Sequence, residues 1–156
     1  MKKRLFFGLF IIMLSLLFTG CGKKDVSFTM TCTAKKYKND SMESQTVVKY
    51  TFNKEQVATN YTTTTTQTFK DKKIYDEYKK AQEQTIKENK SKDMKAELKK
   101  NDKELKLVFI MTLKNLNKSV KTERDKSILK AKRILKNNEK TKSSCKLNGI
   151  SKNKLK

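Results

Sequence analysis

The sequence contains no histidine, no proline and no tryptophan, and it has only four glycines. The lack of histidine excludes histidine-dependent catalytic triads and most zinc sites, and it removes the commonest general base. Neither a glycine-rich phosphate loop nor a G-x-S-x-G elbow occurs. The carboxylate pairs Asp76/Glu77 and Glu123/Asp125 fall among lysines on predicted helix surfaces, where local ion pairing accounts for them. The sequence therefore predicts a protein that is not an enzyme, with no metal site and no cofactor.

Arginine is almost absent from an otherwise very basic chain. Lysine and arginine total 38 against 16 acidic residues, a net charge of +22, yet only Arg4, Arg124 and Arg133 are arginines. This lysine- and asparagine-rich composition is typical of low-GC Gram-positive bacteria. Nucleic-acid binders cluster their basic residues and favour arginine for bidentate phosphate contacts, so we expect no nucleic-acid partner. Two interpretations of the charge stay open: a solvated surface, or electrostatic attraction to anionic lipids or cell-wall polymers.

The amino-terminal segment has the three-part pattern of an export signal. Lys2, Lys3 and Arg4 precede an apolar run over residues 5–18. Fourteen helical residues span about 21 Å, less than the roughly 30 Å of a bilayer core. A positive flank, a short apolar centre and small residues at the end predict a secretory signal peptide over residues 1–20. The alternative is that the run is a retained anchor.

The end of the apolar run resembles the lipobox of bacterial lipoproteins. The residues that carry the resemblance are Phe18, Thr19, Gly20 and Cys21. The resemblance implies that Cys21 becomes the first mature residue and receives a diacylglyceryl group on its thiolate sulfur. Leucine is more usual at the position of Phe18. Residues 21–25 would then form a lipidated amino terminus and short linker on the extracytoplasmic face of the plasma membrane, with Lys23 and Lys24 at the lipid headgroups.

Two further cysteines remain, Cys32 and Cys145. An even pair outside the cytoplasm is typical of a disulfide. The alternative, a metal site, would have only two thiols and no histidine.

Alternating patterns predict an α+β domain over residues 26–148. Strict alternation from Val26 to Ala34 indicates a half-buried strand, followed by a loop over residues 38–44 and two further strands that end near Phe52 and Phe69. Helical spacing then predicts a helix from Asp71 to about Asn89, a hairpin over residues 94–113 with its turn at 99–102, and a second helix over residues 123–138. We therefore expect an antiparallel sheet of about five strands with two helices on one face, and a basic disordered tail at residues 149–156.

The threonine run TTTTT at residues 62–66 favours a strand, because β-branched side chains suit extended backbone. Thr63 and Thr65 should lie on one face, with Thr62, Thr64 and Thr66 on the other. Ice-binding or glycosylated surfaces would need repeats or proline, which the chain lacks.

Several motifs together resemble the small YehR-like lipoproteins of low-GC Gram-positive bacteria. They are the lipobox, TMTCT around Cys32, the long hairpin, IYDEYKKAQEQ in the first predicted helix, and SSCK around Cys145. The resemblance covers residues 26–148. It implies a disulfide-bonded α+β domain on a lipid anchor, and it implies no established activity.

These patterns predict a membrane-anchored surface lipoprotein whose domain is a non-catalytic interaction or envelope module. The alternative is that its lysine-rich surface binds anionic lipids or cell-wall polymers; a protein partner is also compatible. Solute-binding lipoproteins usually need two lobes, for which the mature chain is too short.

The anchor can be tested by the intact mass of protein purified from membranes. We expect a mass that begins at Cys21 and includes the diacylglyceryl group, and a Cys21→Ser variant should lose both cleavage and lipid. A mass that begins at Met1 would instead identify the apolar run as a retained anchor.

Overall fold

The computed structural model describes residues 28–88 and 91–156 as an α+β domain. Its strands are β1 Phe28–Thr33, β2 Tyr37–Lys38, β3 Met42–Phe52, β4 Ala58–Phe69, β5 Met94–Asn101, β6 Lys106–Leu113 and β7 Ser144–Asn148. Its helices are α1 Lys72–Glu88, α2 Leu116–Ser119, α3 Glu123–Ile128 and α4 Ala131–Lys140, followed by a 3-10 helix at Lys152–Lys154. The predicted class is confirmed, whereas the predicted numbers of strands and helices were too low.

All seven strands belong to one antiparallel sheet. Its order is β5-β6-β4-β3-β1-β7, and β2 pairs with β3 outside this path. The two unforeseen strands are short. The two-residue β2 lies at the start of the predicted loop and shares only Lys38 with it, and β7 contains Cys145 in a segment for which the sequence predicts no helix or strand. Segments this short carry too little periodicity to be recognised before their partners are known.

Strand alternation places the buried apolar side chains of the strands on one face of the sheet. On β1, Phe28, Met30 and Cys32 are buried, as the sequence predicted. In the threonine run, Thr63 and Thr65 pair with Met111 and Phe109 of β6. Thr62 and Thr64 point to the opposite face, because successive side chains of a strand alternate. The predicted division of the threonines is confirmed.

The two longer helices pack on this same apolar face. Helix α4 contributes to a cluster with the residues Phe28, Met30, Cys32, Phe52, Ala58, Ala131, Ile134, Leu135 and Leu155, against which Tyr50 packs. Helix α1 contributes Tyr75 to a second cluster with Met42, Phe69 and Leu107. Met42 and Tyr50 are an even number of positions apart on β3, so both clusters lie on one face. No helix in the described ranges covers the other face.

Helix α1 begins where its cap was predicted. The Asp71 carboxylate accepts a hydrogen bond from the Ile74 backbone N–H at 3.0 Å, which satisfies one of the unpaired donors of the first turn. Tyr75 is completely buried, and its hydroxyl donates to Asp102 in the β5–β6 turn. This contact fixes α1 across the end of the hairpin.

The second predicted helix, residues 123–138, is broken into α3 and α4. Lys130 between them is extended, with φ −66° and ψ 135°. The break allows the Leu129 carbonyl to accept from the Ala58 N–H and the Ala131 N–H to donate to the Gln56 carbonyl, each at 2.9 Å. The prediction of one continuous helix was wrong because backbone bonds to the β3–β4 turn replace the helical ones.

The last eight residues also differ from the prediction of a disordered tail. Leu155 is only 7 % exposed and packs in the cluster under α4. The Gln56 side chain donates to the Lys154 carbonyl at 2.9 Å and accepts from the Lys156 N–H at 2.7 Å. Burial of Leu155 and the hydrogen bonds of Gln56 therefore hold the carboxy-terminal segment against the domain.

Cys32 and Cys145 form a disulfide, as predicted, and they are register partners in the β1–β7 pair. The bond joins residues 113 positions apart in the chain. It fastens the carboxy-terminal edge strand to the first described strand of the domain.

Reduction of this disulfide should lower the free energy of unfolding by about 4–5 kcal/mol, because the unfolded chain regains the entropy of a long loop. Urea unfolding of a chain that begins at residue 21, with Cys21→Ser, measures the change with and without reductant. The Cys32→Ala/Cys145→Ala pair in the same background should match the reduced form. Equal urea midpoints with and without reductant would contradict this role for the bond.

Candidate functional site

The predicted site residues divide into two groups. Phe18, Thr19, Gly20, Cys21, Lys23 and Lys24 lie outside the described residues, so the lipobox, the lipid attachment and the headgroup contacts stay predictions. The structure brings Cys32 and Cys145 together in the disulfide. Because disulfides persist in oxidising compartments, this bond suits an exported domain.

Positive charge is concentrated in the last part of the chain. Residues 130–156 contain ten lysines and arginines and a single acidic residue, Glu139, a net charge of +9. Helix α1, Lys72–Glu88, contains five lysines and four acidic residues, a net charge of +1. Lysines are spread along the whole chain, but acidic residues are scarce at its end. The scarcity of acidic residues, and not the distribution of lysines, is the sequence signal that distinguishes this part of the chain.

Helix α4 separates apolar and cationic side chains onto opposite sides. Ala131, Ile134 and Leu135 are buried against the sheet. Lys132, Lys136 and Lys140 are exposed and follow each other at four-residue intervals, which places them in one row along the helix. The row spans about 12 Å at 1.5 Å per residue. The packing that forms the core therefore also points this row of amines into solvent.

The row borders a cationic depression, which we call the basic face. It has a volume of about 530 Å³, and its lining residues are Lys130, Lys132, Arg133, Lys136, Asn137, Lys140 and Lys156. Six of these seven residues carry cationic side chains. Such a surface attracts phosphate or carboxylate groups over a distance set by the ionic strength.

Most cations of the basic face are unpaired. Within the described ranges, Lys132, Lys136, Lys140 and Lys156 make no ion pair. Two other members have local partners: Arg133 donates to the Ser127 hydroxyl, and the Lys130 amine donates to the Glu55 carbonyl, both at 2.9 Å. The charge of the unpaired lysines is thus available to an external anion.

Helix α1 has a smaller net charge and pairs part of it. Lys72 pairs with Asp76 at 2.7 Å, and Glu83 pairs with Lys100 at 2.8 Å. Lys79 lies 3.1 Å from Asp102. The two longer helices therefore differ in how far their charges are neutralised.

The β3–β4 turn positions the basic face. Gln56 has a left-handed backbone, with φ 61°. Its carbonyl accepts from the first residue of α4, while its side chain bonds to both Lys154 and Lys156. The β3–β4 turn thus fixes both the start of α4 and Lys156, the last residue of the basic face.

Hydrogen bonds lower the pKa values of several carboxyl groups in the described residues. For Asp102 the largest contribution is the hydrogen bond from Tyr75, followed by that from Lys79. Hydrogen bonds from Lys36 and Lys38 lower the pKa of Glu43 to about 2. Lysine partners likewise lower the pKa values of Glu83 and Glu123. A catalytic acid needs the opposite shift, a pKa raised toward neutrality. Burial raises the pKa of Tyr75 to about 12, with a further contribution from its hydrogen bond to Asp102.

Comparisons with protein families, with curated proteins and with solved structures find no match for this chain. Of the helices in residues 28–88 and 91–156, none is long and apolar enough to cross a membrane. The same residues contain no group of three or more potential metal-ligating side chains.

The Gln56→Asn variant tests how the basic face is held. Asparagine accepts a left-handed backbone, but its side chain is one methylene shorter and cannot keep both bonds. We expect a loss of about 1–3 kcal/mol in the free energy of unfolding, with faster amide hydrogen exchange at residues 154–156.

The matched control is Gln45→Asn, at an exposed position of β3, which should leave both measurements unchanged. If the two variants behaved alike, the Gln56 side chain would not anchor the carboxy-terminal segment.

Proposed function

We propose that this chain is a lipid-anchored protein of the extracytoplasmic face of a bacterial plasma membrane, and that its domain is a non-catalytic module that binds anionic envelope polymers or lipids. The observation that carries the proposal is the row of unpaired lysines on α4. The charge of this row forms no ion pair within the described residues. An external anion gives these charges a partner.

The proposed anchor rests on the sequence and is compatible with the domain. The signal-like segment ends at Cys21, and β1 begins only seven residues later, at Phe28. The disulfide between β1 and β7 would persist outside the cytoplasm. An exported, anchored domain is therefore the setting in which we interpret the basic face.

Recognition by this surface would depend on charge more than on geometry. Lysine is a compact point charge on a flexible stem, whereas arginine offers a rigid fork for bidentate contacts. The basic face contains one arginine, Arg133, among its six cations. We therefore expect broad affinity for anionic polymers and headgroups, with strong dependence on salt.

The absence of catalysis is part of the same proposal. It is supported by the lack of histidine in the sequence and by the downward pKa shifts of Glu43, Glu83 and Glu123, which indicate ion pairing. Neither observation points to a group that would exchange protons near neutral pH.

Neutralising the row with Lys132→Gln, Lys136→Gln and Lys140→Gln should weaken binding to anionic polymer or phosphatidylglycerol vesicles. The protein for this test is an unlipidated chain that begins at residue 21, with Cys21→Ser, so that the apolar run of residues 5–18 is absent. At about 1 kcal/mol per basic residue near an anionic surface, three neutralised lysines should cost on the order of 100-fold in affinity. Cosedimentation at low salt measures it.

The control variant changes Lys73, Lys80 and Lys87 to glutamine on α1. These lysines are also exposed, and they form no ion pair with described residues. Both variants change one lysine in the last turn of the helix, Lys140 on α4 and Lys87 on α1. Because both variants lose three charges, equal effects would show that net charge alone matters and would reject the basic face as the binding surface.

A further inference from the structure

The chain enters the domain beside the basic face. At the start of β1, Phe28 pairs with Phe52 of β3, and their rings stack with centroids 4.6 Å apart. Phe52 is the last residue of β3 and directly precedes the β3–β4 turn. The point at which the linker from Cys21 reaches the described domain is therefore next to that turn.

The same turn holds the basic face. The Glu55 carbonyl accepts from the Lys130 amine, and the Gln56 carbonyl accepts from the Ala131 N–H. The Lys156 N–H donates to the Gln56 side chain. Entry of the chain, the first residue of α4 and the last residue of the basic face thus meet at one end of the sheet.

Covalent geometry limits how far the domain can stand from its anchor. Seven residue steps separate Cys21 from Phe28, and a fully extended chain covers at most about 25 Å over that length. The row on α4 starts at the anchored end and extends about 12 Å from Lys132 to Lys140. The short linker therefore keeps the anchored end of the row near the surface in which the lipid is inserted.

The rest of the charge pattern favours one orientation. Helix α1, which packs over β4, β5 and β6, has a net charge of only +1 and pairs Lys72 and Lys79, whereas no lysine of the α4 row forms an ion pair with a described residue. Electrostatic attraction is screened beyond about 8 Å at physiological ionic strength, so only the side that faces the membrane gains from it. An anionic surface near the anchor would attract α4 in preference to α1.

We propose that the basic face lies on the anionic lipid headgroups of the same membrane that holds the Cys21 lipid, so that the anchor and α4 bind one surface together. This inference rests on the proposed function, because it needs the lipid at Cys21. It narrows the partner to phosphate-bearing lipid headgroups. The short linker keeps the row at a high effective concentration above them, which makes docking an intramolecular event.

Amine footprinting of the full lipidated chain tests this orientation. The protein is reconstituted into vesicles of phosphatidylcholine, with or without phosphatidylglycerol, and its lysines are labelled with an acylating reagent and quantified by peptide mass spectrometry. Lys132, Lys136 and Lys140 report on α4, while Lys73, Lys80 and Lys87 on α1 serve as internal controls.

We expect labelling of the α4 row to fall at least about threefold in phosphatidylglycerol vesicles, with α1 labelling unchanged and no difference in pure phosphatidylcholine. The Lys132→Gln/Lys136→Gln/Lys140→Gln variant should lose protection at Lys130 and Lys156 under the same conditions. Equal labelling of α4 in both vesicles, or equal protection of both helices, would overturn the inference.

Two further results separate this inference from the proposed function. Protection of the α4 row by soluble anionic wall polymer, without protection by phosphatidylglycerol vesicles, would reject membrane docking and leave anion binding in place. A mass without the diacylglyceryl group would reject the anchor and, with it, both proposals.

Discussion

The pairing of β1 with β7, closed by the Cys32–Cys145 disulfide, is the contact on which the carboxy-terminal third of the domain depends. β7 is a five-residue edge strand without a fully buried side chain, so it offers little apolar burial of its own. The disulfide and the β1 ladder fix it in register. Helix α4 connects directly to β7 and packs Ile134 and Leu135 over β1, so the position of the helix follows from the position of the strand. The basic face is therefore a consequence of this cross-link as well as of its own lysines.

A second constraint assigns the two sides of α4 to different tasks. Strand alternation places every apolar cluster of the described sheet on one face, and the helices must cover that face because an uncovered apolar sheet would be costly. Once Ala131, Ile134 and Leu135 are directed inward, the remaining positions of the helix are solvent-facing. Four of these seven positions are cationic, and Glu139 is the one acid of the helix. The packing of α4 therefore exposes the cations of the basic face, which begins at the end of the domain where the linker arrives.

Much of the fold could be predicted from local pattern. Four features could be predicted: the alternation of β1, the division of the threonines in β4, the Asp71 cap of α1 and the Cys32–Cys145 bond. The first three depend on residues close in sequence, and the bond follows from an even pair of cysteines. The break at Lys130 was not readable, since it depends on hydrogen bonds to a turn more than seventy residues earlier. The burial of Leu155 could not be predicted either, because it depends on a cluster formed by residues distant in the chain. The sequence shows the lysines of the basic face, but their lack of acidic partners appears only when charges of both signs are placed on the fold. The lipid anchor stays a prediction from the sequence.

The proposed role of the unpaired lysines on α4 is to bind an anionic surface. The first measurement is the salt dependence of binding between an unlipidated chain that begins at residue 21, with Cys21→Ser, and phosphatidylglycerol vesicles or anionic wall polymer. We expect clear binding at low salt that weakens steadily as the ionic strength rises, because the interaction is electrostatic. No binding to either partner at low salt, or binding that is independent of salt, would contradict it.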